Sequence, residues 1–350
     1  MIFLCERVAV VGAGSWGTVL ANVLVTNGKK VKIWSRRQNQ VDELNQRHTN
    51  EAYLPHVELS KKIEASTNLE DVLLGSEVVL LAVPTKAMRT VSHEVGLLIK
   101  KMKLKVIIVH ASKGLELETH KRISEIISEE VSFENVQGVV ALSGPSHAEE
   151  VAKHDITLIT AASSNLQAAK IIQQIFMNSY FRVYTNSDII GVEFGAAFKN
   201  IIALGAGALD GLGYGDDAKA ALMTRGLAEI ARLGIALGAD PLTFIGLSGV
   251  GDLIVTCTSS HSRNWRAGRQ LGEGAQVVDV VNNMGMVIEG LTTVQAAYEL
   301  AKEKKIEMPI TEAIYRVVYQ DEKMKKAISD LMTREGKSEE ETFQWNTYQK

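Results

Sequence analysis

Directly after the apolar run Val8-Ala9-Val10-Val11 the chain reads Gly12-Ala13-Gly14-Ser15-Trp16-Gly17. No other feature restricts the fold so tightly, because a strand, a tight turn and a helix must follow one another here. Gly12 would make the turn, Gly14 would let the backbone approach a pyrophosphate, and Gly17 would permit close helix–strand packing. A helix starting near Trp16 would then present its unpaired amides to the anion. Glycines punctuate many ordinary loops, so the context carries the inference rather than the glycines alone. A Walker-type phosphate loop is excluded, since Gly17 is not followed by Lys-Ser or Lys-Thr.

The surroundings repeat that pattern. Strands are expected at Arg7–Val11, Lys30–Trp34, Glu77–Ala82, Lys105–His110 and Val136–Leu142, and further ones at Ile156–Thr160 and Tyr180–Tyr184. Helices are expected at Thr18–Asn27, Thr85–Lys100, Glu116–Ser128 and Asn165–Phe176. Such alternation predicts a mostly parallel sheet covered on both faces. After Asp188 the strand signal stops, and VEFGAAFKNIIALGAGA opens a helical texture that continues through Ala218–Leu233, Leu291–Glu303 and Pro309–Tyr319. Gly234–Pro241 is expected to end the helix before it. The fold class is therefore an α/β Rossmann-type domain over residues 1–188, followed by an all-helical domain over 189–350. The polar stretch Arg334–Lys350 is expected to be frayed.

Composition narrows the partners. The 350 residues carry 38 Lys+Arg against 41 Asp+Glu, a balance that argues against a basic nucleic-acid-binding surface. Cys5 and Cys257 alone make no disulfide framework. Met1–Cys5 is apolar, but Glu6 and Arg7 follow at once, and no uninterrupted apolar stretch reaches the roughly 20 residues a span requires. The expectation is a cytoplasmic protein with no membrane span. No catalytic metal is expected, because HExxH and CxxC are missing and His110, His147 and His261 read as loop or packing residues.

Three strand ends, those carrying Val83-Pro84-Thr85, Lys113 and Ser143–Ala148, would meet at the ligand edge of such a sheet. After the second strand come Ser35-Arg36-Arg37, where an acidic residue would favour NAD through the ribose 2′-hydroxyl. Arginines suit a 2′-phosphate instead, unless both are solvated helix-start residues. The cofactor reading is NADP or NAD, leaning to NADPH. Lys113 follows the strand IIVH, and Ser143-Gly144-Pro145-Ser146-His147-Ala148 follows VVAL. In the second half, Lys199 interrupts an otherwise apolar Ala/Gly-rich helix. A buried ammonium is costly, and desolvation brings a lysine toward proton transfer near neutral pH. Asp252 and Thr256, four apart, would share a helix face, with Asp252 orienting Lys199 and Thr256 meeting a substrate hydroxyl. Ser262-Arg263-Asn264 combines a hydroxyl, a guanidinium fork and an amide, which suits a phosphate or a carboxylate.

At this point the chain resembles the bacterial-type NAD(P)-dependent glycerol-3-phosphate dehydrogenases. GAGSWG, Arg36-Arg37, ASKG, SGPSHA, EFGAAFKN, GLSGVGDLIVTCTSSHSRN and VIEG stand in family order from Val8 to about Gly290. The resemblance implies that Lys199 is the proton acceptor. It implies dinucleotide contacts at Ser15, Trp16, Arg36, Arg37, Lys113, Ala148, Arg263, Val287 and Glu289, beside the glycines Gly12, Gly14 and Gly17. It implies substrate contacts at Lys113, Gly144, Ser146, Asp252, Ser262, Arg263 and Asn264. The implied substrate is a small phosphorylated triose or polyol, the implied assembly a homodimer, and the implied product glycerol 3-phosphate for phospholipid synthesis.

Two other readings stay open on the residues alone. A hydroxy-acid dehydrogenase would share the architecture but act on a carboxylate without needing a phosphate. A nucleotide sensor without turnover would leave the interior Lys199 functionless.

Overall fold

The computed structural model describes residues 5–284 and 288–339. Met1–Leu4, Val287 and residues 340–350, on which some of the expectations above rest, lie outside the described residues. Two units emerge from the chain's internal packing: 1–116 with 121–189, and 117–120 with 190–350.

The first unit is an eight-stranded sheet of β1 (Arg7–Val11), β2 (Lys30–Trp34), β3 (Ile63–Ser66), β4 (Val78–Leu81), β5 (Val106–His110), β6 (Val136–Ser143), β7 (Thr157–Ala162) and β8 (Phe181–Asn186). The order is β3-β2-β1-β4-β5-β6-β7-β8, and every pairing is parallel except β6 with β7. The first six strands give the dinucleotide-binding order, which reverses between β1 and β4 and opens a crevice there. Alternation along the strands feeds two apolar layers. Val8 and Val10 pack with Leu20 and Leu24 on one face. Ala9 and Val11 pack with Val95 and Ile99 on the other. At two residues per side-chain repeat, this is why the strands read as continuous apolar runs.

Two details depart from expectation. Strand β3 was not foreseen, since four residues reading Ile-Glu-Ala-Ser at a sheet edge are too short to show a period. The helix expected over Glu116–Ser128 begins only at Ile123. The residues before it form a loop closed by a Leu115–Arg122 bridge, with His120 in the left-handed region at φ 56°. The helix break falls inside Gly234–Pro241 as expected, although the helix runs past Gly234 to Ala236. A Cβ at Gly234 would stand 2.3 Å from Phe244 Cζ, so the glycine serves packing. The break falls at Gly238, with φ +97°.

The second unit is helical, built on Ile189–Gly211, Asp216–Ala236, Asp252–Thr258, Arg263–Gly272, Glu289–Lys304 and Pro309–Tyr319. Although no uninterrupted apolar stretch was expected to be long enough for a span, Ile189–Gly211 reaches that length and composition with Glu193 and Lys199 included. Its most apolar window is 83% buried within the protein, as befits a core helix. The described end of the chain is irregular, and Lys337 there pairs with Glu307 at 2.6 Å.

The glycines of the core helix explain its burial. A Cβ on Gly207 would lie 1.9 Å from the Trp265 carbonyl oxygen, and one on Gly268 would lie 2.0 Å from that of Leu204. The two helices thus approach backbone to backbone, each using glycine where the other presents a carbonyl. Gly207→Ala is expected to destabilise the protein by about 3 kcal/mol, because neither carbonyl can retreat without moving its helix. Urea unfolding would measure the loss, and an unchanged midpoint would refute the close approach.

Candidate active site

In the first unit, the loops at the strands' carboxyl ends touch in sequence across the sheet. Gly12, at φ +119°, turns the chain so tightly that a Cβ would sit 2.5 Å from the Ala82 carbonyl oxygen beyond β4. Ser112 Oγ donates to the Val83 carbonyl at 2.5 Å. Lys113 Nζ lies 3.4 Å from the Gly144 carbonyl oxygen, which also accepts from Ser146 Oγ at 2.9 Å. The parallel topology therefore brings the Gly-rich turn, Lys113, Gly144 and Ser146 to one edge. Ala148 is buried at the start of the short helix Ala148–Ala152, with His147 at its N-cap.

The turn is shaped for an anion. Gly14 caps the helix Ser15–Thr26 without any side-chain hydrogen bond. A Cβ at Gly14 would meet nothing within 4 Å, while one at Gly17 would strike the Gly12 carbonyl oxygen at 2.0 Å. The helix start thus keeps unsatisfied amides facing open space, the arrangement a pyrophosphate needs. Ser15 Oγ is turned inward to the Tyr53 carbonyl at 2.8 Å, and Trp16 packs against the apolar core. Arg36 and Arg37 are both exposed, and Arg37 lies over the Tyr53 ring at 5.2 Å.

In the second unit, Lys199 is 5% exposed and Asp252 1%. Lys199 Nζ donates to Asp252 Oδ1 and, at 2.7 Å, to Thr256 Oγ1. Asp252 follows a single π-turn, Leu247–Gly251, and begins the helix Asp252–Thr258. Thr256 spends its own proton on the Asp252 carbonyl at 2.6 Å. The triad is a buried ion pair with its lone pairs and protons directed, the condition under which such a pair is tolerable inside a protein. Burial pushes the neighbouring Cys257 thiol up to about 12, against the lowering influence of Lys199. That leaves it unreactive at neutral pH.

Ser262 caps the helix Arg263–Gly272, accepting from the Trp265 amide at 3.2 Å. Arg263 is half-buried and has no carboxylate partner among the described residues. Asn264, expected to meet phosphate, has both ends of its amide engaged. It donates to Asn200 Oδ1 at 2.8 Å and accepts from the Gly290 amide at 2.8 Å. Asn200 Nδ2 in turn lies 3.4 Å from Glu289 Oε2. Asn200 was not singled out from the sequence, although it sits beside Lys199. Gln40, Asn50 and Tyr53, packed around the Gly-rich turn, carried no motif to reveal them. Among the described residues, no group of three or more His, Cys, Asp or Glu is placed to hold a metal ion.

Comparison with known proteins adds to this geometry. Residues 7–169 match the family described as NAD-dependent glycerol-3-phosphate dehydrogenase N-terminus, and residues 188–329 match its C-terminus. A glycerol-3-phosphate dehydrogenase (NAD(P)+) of Lactiplantibacillus plantarum is 62% identical over 336 residues, covering 96% of this chain and 99% of that one. That of Enterococcus faecalis is also 62% identical, covering 96% and 98%. The crystal structure of glycerol-3-phosphate dehydrogenase from Coxiella burnetii superposes with a TM-score of 0.88 at 37% identity, over 94% of this chain and 99% of that chain. A D-mandelate dehydrogenase complex with NADH, at 13% identity and a TM-score of 0.59 over 93% of this chain and 99% of that one, shares the fold alone.

Proposed function

Because the chain belongs to the family of NAD-dependent glycerol-3-phosphate dehydrogenases, we propose that it interconverts sn-glycerol 3-phosphate and dihydroxyacetone phosphate with NAD(P)(H), in the direction that supplies glycerophospholipid synthesis. The observation that carries this reading is the buried Lys199 ammonium held by Asp252 and Thr256. The hydride chemistry at substrate C2 would be supplied by the nicotinamide of the dinucleotide that the residues below would hold. Lys199 gives its proton to the C2 oxygen in reduction as the ammonium, and takes the C2 hydroxyl proton in oxidation as the neutral amine. Asp252 and Thr256 aim its Nζ. Lys113 supplies positive charge where the oxygen's negative charge grows.

Arg263 and Ser262 bind the substrate phosphate, the guanidinium being suited to it by having no carboxylate of its own. Gly144 and Ser146 complete the substrate contacts. Asn264, held by Asn200 and the Gly290 amide, keeps a second amide N–H for the phosphate and also fixes the start of the helix that bears Arg263. The glycines Gly12, Gly14 and Gly17, with Ser15, Trp16, Ala148 and Glu289, hold the dinucleotide. Arg37 favours its 2′-phosphate, so NADP(H) is the preferred cofactor.

The test follows the absorbance of reduced nicotinamide with dihydroxyacetone phosphate or unphosphorylated dihydroxyacetone, using NADPH and NADH in parallel. Turnover is expected only with the phosphorylated ketone, and faster with NADPH. Equal rates with both cofactors would overturn the preference alone. Failure with either cofactor, in folded protein that binds dinucleotide, would overturn the substrate and favour a hydroxy acid instead.

A further inference from the structure

Gln40 is 6% exposed in the first turn of the helix Gln38–Gln46, and both ends of its amide are committed. Its oxygen accepts from Ser35 Oγ at 2.6 Å and from Arg37 Nη2 at 3.2 Å. Its nitrogen donates to the Ala13 carbonyl at 2.6 Å and to Asn50 Oδ1 at 3.0 Å. Asn50 donates to the same Ala13 carbonyl at 3.0 Å and to Thr18 Oγ1 at 2.8 Å. One buried glutamine therefore joins the Gly-rich turn to the basic end of β2. Tyr53 adds a second hold, its ring lying under the Arg37 guanidinium at 5.2 Å and its carbonyl accepting from Ser15 Oγ.

We propose that Gln40 and Tyr53 are positioning residues that determine cofactor specificity, holding Arg37 preset to read the 2′-phosphate of the adenine ribose. This rests on the reading of Arg37 as the group that favours NADP(H). An arginine has five N–H donors in a fixed planar fork. Gln40 takes one of them and Tyr53 covers one face, which leaves the rest of the fork for phosphate oxygens while removing rotamer freedom before binding. An amide at position 40 is the fitting partner. A carboxylate there would form an ion pair with the guanidinium and repel the phosphate. Arg36, as exposed as Arg37, lacks this support, with no side-chain hydrogen bond or ion pair among the described residues. Because Gln40 also grips the Ala13 carbonyl, the pyrophosphate turn and the 2′-phosphate reader share one support.

The test is calorimetric binding of adenosine 2′,5′-bisphosphate and of 5′-AMP to the full chain, read as the ratio of their dissociation constants. Wild type is expected to prefer the 2′-phosphorylated ligand by about tenfold or more. Arg37→Ala should abolish that preference, and Gln40→Leu and Tyr53→Leu should each lower it at least about threefold. Tyr53→Phe should retain it, because the ring remains. Asn50→Ala, which touches the turn but not Arg37, should weaken both ligands equally. A wild type without preference would overturn the NADP(H) reading itself. A preference lost in Arg37→Ala but intact in both Gln40→Leu and Tyr53→Leu would overturn the inference alone, as would equal weakening of both ligands in those two variants. Should Gln40→Leu fail to fold, the half-buried Tyr53 carries the test.

Discussion

Replacing Lys199 by alanine is expected to lower kcat by about three orders of magnitude, the usual contribution of a positioned proton-transfer group. Dinucleotide affinity should be unchanged, since the glycine turn and Arg37 belong to the other unit. The single variant carries a structural penalty of its own. It leaves Asp252, 1% exposed, as an uncompensated buried carboxylate, and breaking a buried pair in this way costs roughly 3–5 kcal/mol. The double variant Lys199→Ala/Asp252→Asn removes that penalty without restoring a proton donor. It should melt closer to wild type than the single variant and remain as inactive. Recovery of kcat in the double variant to within about tenfold of wild type would show that Lys199 only neutralises Asp252, and the mechanism would fall.

The parts of this molecule that were legible in the sequence are those set by periodicity and by backbone sterics. Strands β1 and β2 fall where the apolar runs placed them, and the pairing of Lys199 with Asp252 is as expected, whereas Thr256, expected to meet a substrate hydroxyl, accepts from Lys199. A lysine amid Ala and Gly has few reasons to be there, which makes it visible. What stayed hidden depends on partners distant in sequence. Gln40, Asn50 and Tyr53 are ordinary surface-type residues in a linear reading, and only the fold brings them under Ala13 and Arg37. Asn264 was legible as a polar residue in a motif, but the hold that Asn200 and Gly290 keep on its amide was not. The helix break at Gly234–Pro241 was legible, but the packing of Gly234 against Phe244, beyond the intervening turn, was not.

Glu229 is the clearest residue of that hidden kind, and it should set the protein's response to pH. Its side chain is 2% exposed on the helix Asp216–Ala236. Its carboxyl caps the start of the helix Pro309–Tyr319, accepting from the Ile310 amide at 2.7 Å and from the Thr311 amide and hydroxyl at 3.1 Å each. Pro309 at the first helical position has no N–H to offer, so these two amides are the donors that need an acceptor. Burial pushes the carboxyl up to about 7 from 4.5, against the lowering effect of those hydrogen bonds and of Arg232. A folded state that binds the proton more tightly than the unfolded chain is favoured at low pH. This contribution is fully present below about pH 4.5 and is lost as pH rises through 7, a change on the order of 3 kcal/mol. Glu307 and Glu322, whose carboxyls are held below their ordinary range by Lys337 and Lys326, act below that window and in the opposite sense. Glu229→Gln is expected to destabilise the protein at every pH, because its amide N–H₂ must face a backbone N–H. It should also remove the fall in stability expected of wild type between pH 5 and pH 8. Urea unfolding across that range would decide the matter, and a wild-type slope that persists unchanged in Glu229→Gln would assign the pH response to other groups.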